Sequence, residues 1–226
     1  MTDEIRKRLE AYPENWPASH LKETFYITMD PVLRFQLEKH LTRLLEQLHM
    51  AGIRMREPET VRLIYEALSR LMSYDHTEYP EGEGDLRYSY AGGITSGKAV
   101  CMGVAEMFTM VACAMGLRAQ TVIGWGGDPA KDGGEHAWNI VWVNGTPYHV
   151  DLTWDLSEYA TARGGFKYYL KSDDYMRRHD HDWLPERCIP CPRSMPEWEI
   201  PRVNPEAVSF LCSRFEILRR VVNSDS

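Results

Sequence analysis

Apolar residues recur at steps of three and four through most of the first third of the chain. They then fill one later segment on nearly every side, and alternate with polar residues beyond it. Ile5, Leu9 and Tyr12 predict a short amphipathic helix over residues 1–12, broken by "PENWPASH". "DPVLRFQLEKHLTRLLEQLHMAG" carries Leu33, Phe35, Leu37, Leu41, Leu44, Leu45 and Leu48, and predicts a helix from the Asp30 cap and Pro31 to Gly52. "EPETVRLIYEALSRLMSYD" repeats the pattern from Pro58 to about Tyr74. Residues 76–98 are rich in Gly, Pro and charge and read as one long loop, a feature that is uncommon in compact domains and usually functional. The segment from Cys101 to Met115 is apolar all round, which predicts a central buried helix stopped by Gly116.

Strand patterns follow. "LRAQTVIGW" predicts a strand, and "EHAWNIVWVNGTPYHVDLTWD" a hairpin about Asn144-Gly145. Residues 165–183 read as a further strand and then a short helix opening near Ser172, and the tail from Asn204 as a last helix. Helices first and antiparallel strands after them make an α+β pattern, unlike the alternation of a parallel sheet. The organisation expected is a helical segment over 1–56 packed on a domain over 57–226, the two forming one compact unit.

Composition narrows the classes. Hydrophobic residues at 43% and aromatic residues at 11% of 226 residues suffice for a sizeable core. The balance of 26 basic against 33 acidic residues, with no basic block, speaks against a nucleic-acid partner. No run approaches the 18 apolar residues of a membrane span, and the first residues lack a secretory signal's apolar stretch. Five cysteines, an odd number, point to a reducing, cytoplasmic setting.

The hairpin carries the chemistry. With a two-residue turn, Ile140 faces His149 and Trp138 faces Asp151. His136 and Asp151 are then diagonal neighbours on one face, roughly 7 Å apart at the backbone. A carboxylate there orients the imidazole and stabilises its charged form. The opposite face, with Ala137, Val141, Val143, Tyr148, Val150 and Leu152, is a core face. Cys101 opens the buried helix, where unpaired N–H groups and the helix dipole favour a thiolate. These three residues fit a nucleophile (Cys101), a base that later acts as acid (His136) and an orienting carboxylate (Asp151), with helix-start N–H groups available for an oxyanion.

"GKAVCMGVAEMF", "GEHAWNIVWV" and "YHVDLTWD" together resemble the transglutaminase-like superfamily of cysteine enzymes, in its bacterial branch. The resembling features are Cys101 followed by Gly103, His136 followed by Ala-Trp-Asn, and Asp151 in the Tyr148–Asp155 motif, within about residues 60–180. The resemblance implies a papain-like core, with a Cys-bearing helix packed on an antiparallel sheet that carries His and Asp. Met102 and Val104 stand where relatives often have Gln and Tyr, which bears on substrate preference. No calcium loop is present, and no metal or cofactor is expected.

Other residues receive weaker roles. Tyr90 is a candidate oxyanion or cleft residue, and Trp138 and Trp154 are candidate cleft walls, each with a packing role as the plain alternative. His179, His181, Cys188 and Cys191 form a conceivable zinc set, although a lone CxxC containing Pro190 reads more simply as a turn. The function expected is attack of Cys101 on an amide of a peptide or protein, with hydrolysis preferred over transfer to an amine. The alternative is a non-catalytic peptide-binding or scaffold module.

Overall fold

In a computed structural model of the protein, residues 2–10, 39, 56–78, 85–131, 133–156 and 166–224 are described. The long helix expected over 30–52 lies outside them, apart from residue 39. The elements are α1 (Asp3–Glu10), α2 (Glu57–Leu71), β1 (Ser73–Tyr74), a 3₁₀ turn at Asp85–Tyr88, α3 (Tyr90–Thr95) and β2 (Lys98–Ala99). They continue with α4 (Cys101–Ala114), β3 (Ala119–Gly126), β4 (Gly134–Val143) and β5 (Thr146–Val150). Then come α5 (Leu152–Asp155), α6 (Asp173–Arg177), β6 (His181–Asp182) and α7 (Pro205–Ser224).

The main sheet is antiparallel, in the order β5-β4-β3-β6. Asn144 and Gly145 both take positive φ, 50° and 78°, as a two-residue hairpin turn requires. The register is the one the turn predicts, with Ile140 opposite His149. One face of the sheet packs on α2, α4 and α7 through Leu63, Leu68, Met107, Phe108, Val141, Val143, Tyr148, Leu211 and Phe215. Polar groups pin α4 to this face. The Asn139 side-chain amide donates to the Ala105 carbonyl and to Thr109, both at 2.8 Å, and the Thr109 hydroxyl lies 3.0 Å from that of Thr121.

Two expectations change, and the His136 face of the hairpin proves to be covered as well. Val122, Trp138, Ile140 and Trp142 are buried there under Tyr168, Met176, Trp183 and Cys191. Residue alternation assigns a face but does not reveal what later segments cover it. The stretch 85–99 is not all loop, since Ser89 caps α3 and Ser73–Tyr74 pair in parallel with Lys98–Ala99. A six-residue helix containing two glycines has too little periodicity to be legible. The strand expected from residue 165 is only a bridge between His149 and Lys171.

Gly103 shows how tightly α4 is seated. A Cβ there would lie 2.3 Å from the Arg87 carbonyl oxygen and 2.8 Å from that of Ser89. The first turn of α4 is therefore pressed against the backbone of 87–89, and the Arg87 carbonyl also accepts from Val100 N at 3.0 Å. Gly103→Ala should lower unfolding free energy by about 1–3 kcal/mol, read from urea denaturation. An unchanged midpoint would mean that 87–89 yields without cost.

Candidate active site

Val100, in extended conformation, precedes α4, so Cys101 is the first helical residue and is partly exposed. β5 pairs with β4 only over Asn139–Val143, which leaves residues 134–138 of β4 without a β5 partner. The start of α4 meets β4 there. Burial pushes the Cys101 thiol's pKa up, but the influence of the His136 ring and of the Ala137 backbone outweighs it and leaves the pKa below the usual thiol value.

β5 ends at Val150, and the chain turns into α5 with Asp151 as the N-cap. Asp151 is therefore a cap, not the strand residue expected. Its Oδ1 accepts from Trp154 N at 3.1 Å, and its own N–H donates to the Tyr168 carbonyl at 3.0 Å. Its Oδ2 lies 2.7 Å from His136 Nε2. Because Nε2 is engaged there, Nδ1 is the ring nitrogen left to serve Cys101. Burial disfavours the charged form of both partners. The carboxylate nevertheless holds the imidazole's pKa well above its ordinary value, and the imidazole holds that of Asp151 well below its own.

His136 is enclosed by rings. Trp138 stacks on it with centroids 5.8 Å apart, and Trp154 lies at 5.4 Å. Trp138 is buried in the second core, and its indole N–H donates to His149 Nδ1 at 2.9 Å. Trp154 and His136 both line an open cleft of about 550 Å³ that extends along Gly126–Asp128 to Asp180. Tyr90 is half-buried against the main core, with its backbone N–H donating to Glu106 at 3.0 Å.

A residue given another role by sequence joins the group. His181, on β6, brings its Nε2 to within 2.9 Å of Asp151 Oδ2. It is 30 residues from Asp151, and only its buried position on the short β6 reveals the contact. Among the described residues, two groups bring three potential metal ligands together: His136, Asp151 and His181, and His149, Asp173 and Cys191. The set His179, His181, Cys188 and Cys191 is not one of them. In the first group the 2.7 and 2.9 Å separations are hydrogen-bond distances. Donors around a tetrahedral zinc, with bonds of about 2.0–2.1 Å, would stand about 3.3 Å apart. In the second, His149 Nδ1 accepts from Trp138, so Nε2 carries the proton and donates to Asp173 at 2.8 Å. Neither ring nitrogen is then a ligand, and burial raises the Cys191 thiol's pKa.

Residues 46–152 match the family model described as the transglutaminase-like superfamily. The α+β fold, with a helix opening on Cys101 packed against an antiparallel sheet, fits the papain-like core expected from that resemblance. No curated protein matches the chain. Solved structures that it resembles include one described as a TGase, at 17% identity and a TM-score of 0.45 over 58% of this chain and 35% of that one. Another, from Cytophaga hutchinsonii, is described as "a Putative Cysteine Protease", at 17% identity and a TM-score of 0.40 over 66% of this chain and 47% of that one. The chain thus spans between a third and a half of the length of these structures.

Glu106, in the second turn of α4, yields a pH prediction. Burial raises its carboxyl pKa to about 8, only partly offset by the N–H of Tyr90. The neutral acid is favoured in the fold, so its stabilising contribution is complete below the unfolded value of 4.5 and is lost as pH rises through about 8. Glu106→Gln keeps an acceptor for Tyr90. Between pH 5 and 9 it should lose less unfolding free energy than the wild type, by about 2–4 kcal/mol. Parallel urea midpoints for the two proteins across that range would refute this.

Proposed function

We propose, for a chain whose residues 46–152 carry the core of the transglutaminase-like superfamily, that it is a cysteine enzyme using Cys101, His136 and Asp151 on an amide of a peptide or protein. The observation that carries this reading is the Cys101 thiol at the start of α4, within the electrostatic influence of an imidazole that is hydrogen-bonded to a buried carboxylate. The helix start and the imidazolium both favour the thiolate at neutral pH.

In this mechanism Cys101 Sγ attacks the amide carbonyl carbon, and the developing oxyanion is stabilised by N–H groups at the start of α4. His136 gives its proton to the leaving nitrogen as the C–N bond breaks, leaving a thioester on Cys101. Water then attacks the thioester and His136 takes its proton. The C–S bond breaks, and the thiolate–imidazolium pair returns. Asp151 keeps the ring in the tautomer that presents Nδ1 to sulfur. Hydrolysis is favoured over transfer to an amine because the cleft beside His136 and Trp154 is open, and transfer requires that water be kept from the thioester. Trp154 is a wall of that cleft in this reading. All five cysteines are free thiols, which fits a reducing, cytoplasmic compartment.

The test is iodoacetamide alkylation of each cysteine against pH, resolved by peptide mass spectrometry. Cys101 should react rapidly near pH 6 and lose that advantage in His136→Ala, its rate there falling by about tenfold or more. Reaction of Cys101 only above about pH 8, as for a free thiol, would overturn the nucleophile and leave a binding module. With a peptide mixture as substrate, Cys101→Ala should abolish amide cleavage while retaining the wild-type circular dichroism spectrum. Full activity in that variant would exclude the thioester route.

A further inference from the structure

Asp151 is shared. Its Oδ2 lies 2.7 Å from His136 Nε2 and 2.9 Å from His181 Nε2. His181 is 2% exposed, and its backbone is held by the pairing of β6 with β3, opposite Gly126. Its Nδ1 lies 2.8 Å from the His179 carbonyl oxygen. A carbonyl only accepts, so Nδ1 carries a proton. The carboxylate at Nε2 also accepts, so that nitrogen carries one as well. Both bonds form together only in the doubly protonated ring. Around it stand Trp154 at 4.2 Å, Trp138 at 5.1 Å, Tyr168 at 5.2 Å and His136 at 5.6 Å between centroids. The titratable groups that face it are therefore Asp151, His136 and Tyr168, with His149 interacting electrostatically from behind Trp138.

We propose that His181 is a positioning residue for the reactive set, an imidazolium that anchors Asp151 and adds the positive charge that keeps the Cys101 thiolate favoured at low pH. The inference rests on the proposed role of Cys101.

The geometry gives His181 two separable effects. As a donor it fixes Oδ2, while Trp154 N fixes Oδ1, so the carboxylate is held at both oxygens and His136 is aimed. As a cation it offsets the charge of Asp151. Without it, the site is one unit more negative, and both the thiolate and its precursor thiol respond. A more negative surround raises a thiol's pKa. Asp151 alone would favour the His136 imidazolium but oppose the thiolate beside it. A second imidazolium on the same carboxylate relieves that opposition.

His181→Gln can retain a donor to Asp151 but has no charge. His181→Phe fills the space with neither. The probe is iodoacetamide, and the readout is the pH profile of Cys101 alkylation. In His181→Gln the acid limb should move up by about one pH unit, with the plateau rate within about twofold of wild type. In His181→Phe the limb should move likewise and the plateau should also fall several-fold, as Asp151 loosens. A purely structural histidine would lower plateau and stability together and leave the midpoint where it was. A His181→Gln profile that superimposes on wild type, or moves down, overturns the proposal.

A second measurement covers variants that do not fold. Imidazole ¹⁵N–¹H correlation spectra of the wild-type protein, with His181 assigned through contacts to Trp138 and Trp154, should show both of its nitrogens protonated at neutral pH. A single-tautomer ring overturns the proposal. Failure here is distinguishable from failure of the nucleophile. If Cys101 lacks low-pH reactivity in wild type, the parent reading falls and takes the positioning role with it. If wild-type Cys101 behaves as a thiolate and only His181 is silent, the parent reading stands.

Discussion

A carboxylate with no exposed surface is expensive to bury, and the arrangement around Asp151 is organised to meet that cost. Three donors converge on it: the Trp154 backbone N–H and two imidazoles, from elements that are far apart in sequence. Each comes from a different piece of the fold. The backbone donor is the first turn of α5, the His136 ring hangs from the start of β4 where β3 but not β5 pairs with it, and the His181 ring arrives on β6 at the far side of the sheet. Loss of one donor would leave charge stranded in a dry interior. The tertiary structure is thus required by this single group more than by any one apolar contact.

The same constraint explains the local chain path. Had β5 continued past Val150, Asp151 would have pointed along a strand and its Oδ1 would have lacked the α5 cap. Ending the strand lets one oxygen close a helix turn while the other faces the rings. One turn later the chain repeats the device with Asp155, whose carboxylate accepts from Tyr65 at 2.7 Å and from Lys167 N at 2.8 Å. Here the hydrogen-bond donors are a phenol and backbone amides instead of imidazoles, and burial lifts the carboxyl to about 7. The contrast between the two aspartates is one of partners, since both are buried. Imidazoles stabilise a charged carboxylate, whereas a phenol and backbone amides do not fully offset burial.

Much of this was legible in the chain. The Asn144-Gly145 turn sets the register, and register sets parity, so His136 and Asp151 are on one face before any tertiary contact is considered. Cys101 after a Gly-Lys turn, at the head of an all-apolar helix with a glycine two residues on, locates the thiol at a helix start. What parity leaves open is the cover on that face, because Tyr168, Met176 and Trp183 come from segments with little periodicity of their own. His181 was visible only as one half of a His-x-His pair, which suggests metal chemistry by residue type. Its actual partner is a carboxylate that a two-residue strand brings alongside. Strands of that length carry no pattern and are made by the sheet that receives them.

Gly103 joins the two scales. The close approach of the 87–89 backbone to the first turn of α4 depends on the missing side chain, and the same approach fixes where Cys101 emerges. A thiol on a freely rocking helix end would meet His136 only part of the time. Seated by the 87–89 backbone on one side and by the Asn139 and Thr121 contacts further along the helix, α4 holds the sulfur where the ring already points. The thiol is then positioned by packing, the ring by a carboxylate and the carboxylate by two more donors. Each of these steps lowers the freedom of the one before it, and preorganisation of this kind is what the proposed nucleophile requires.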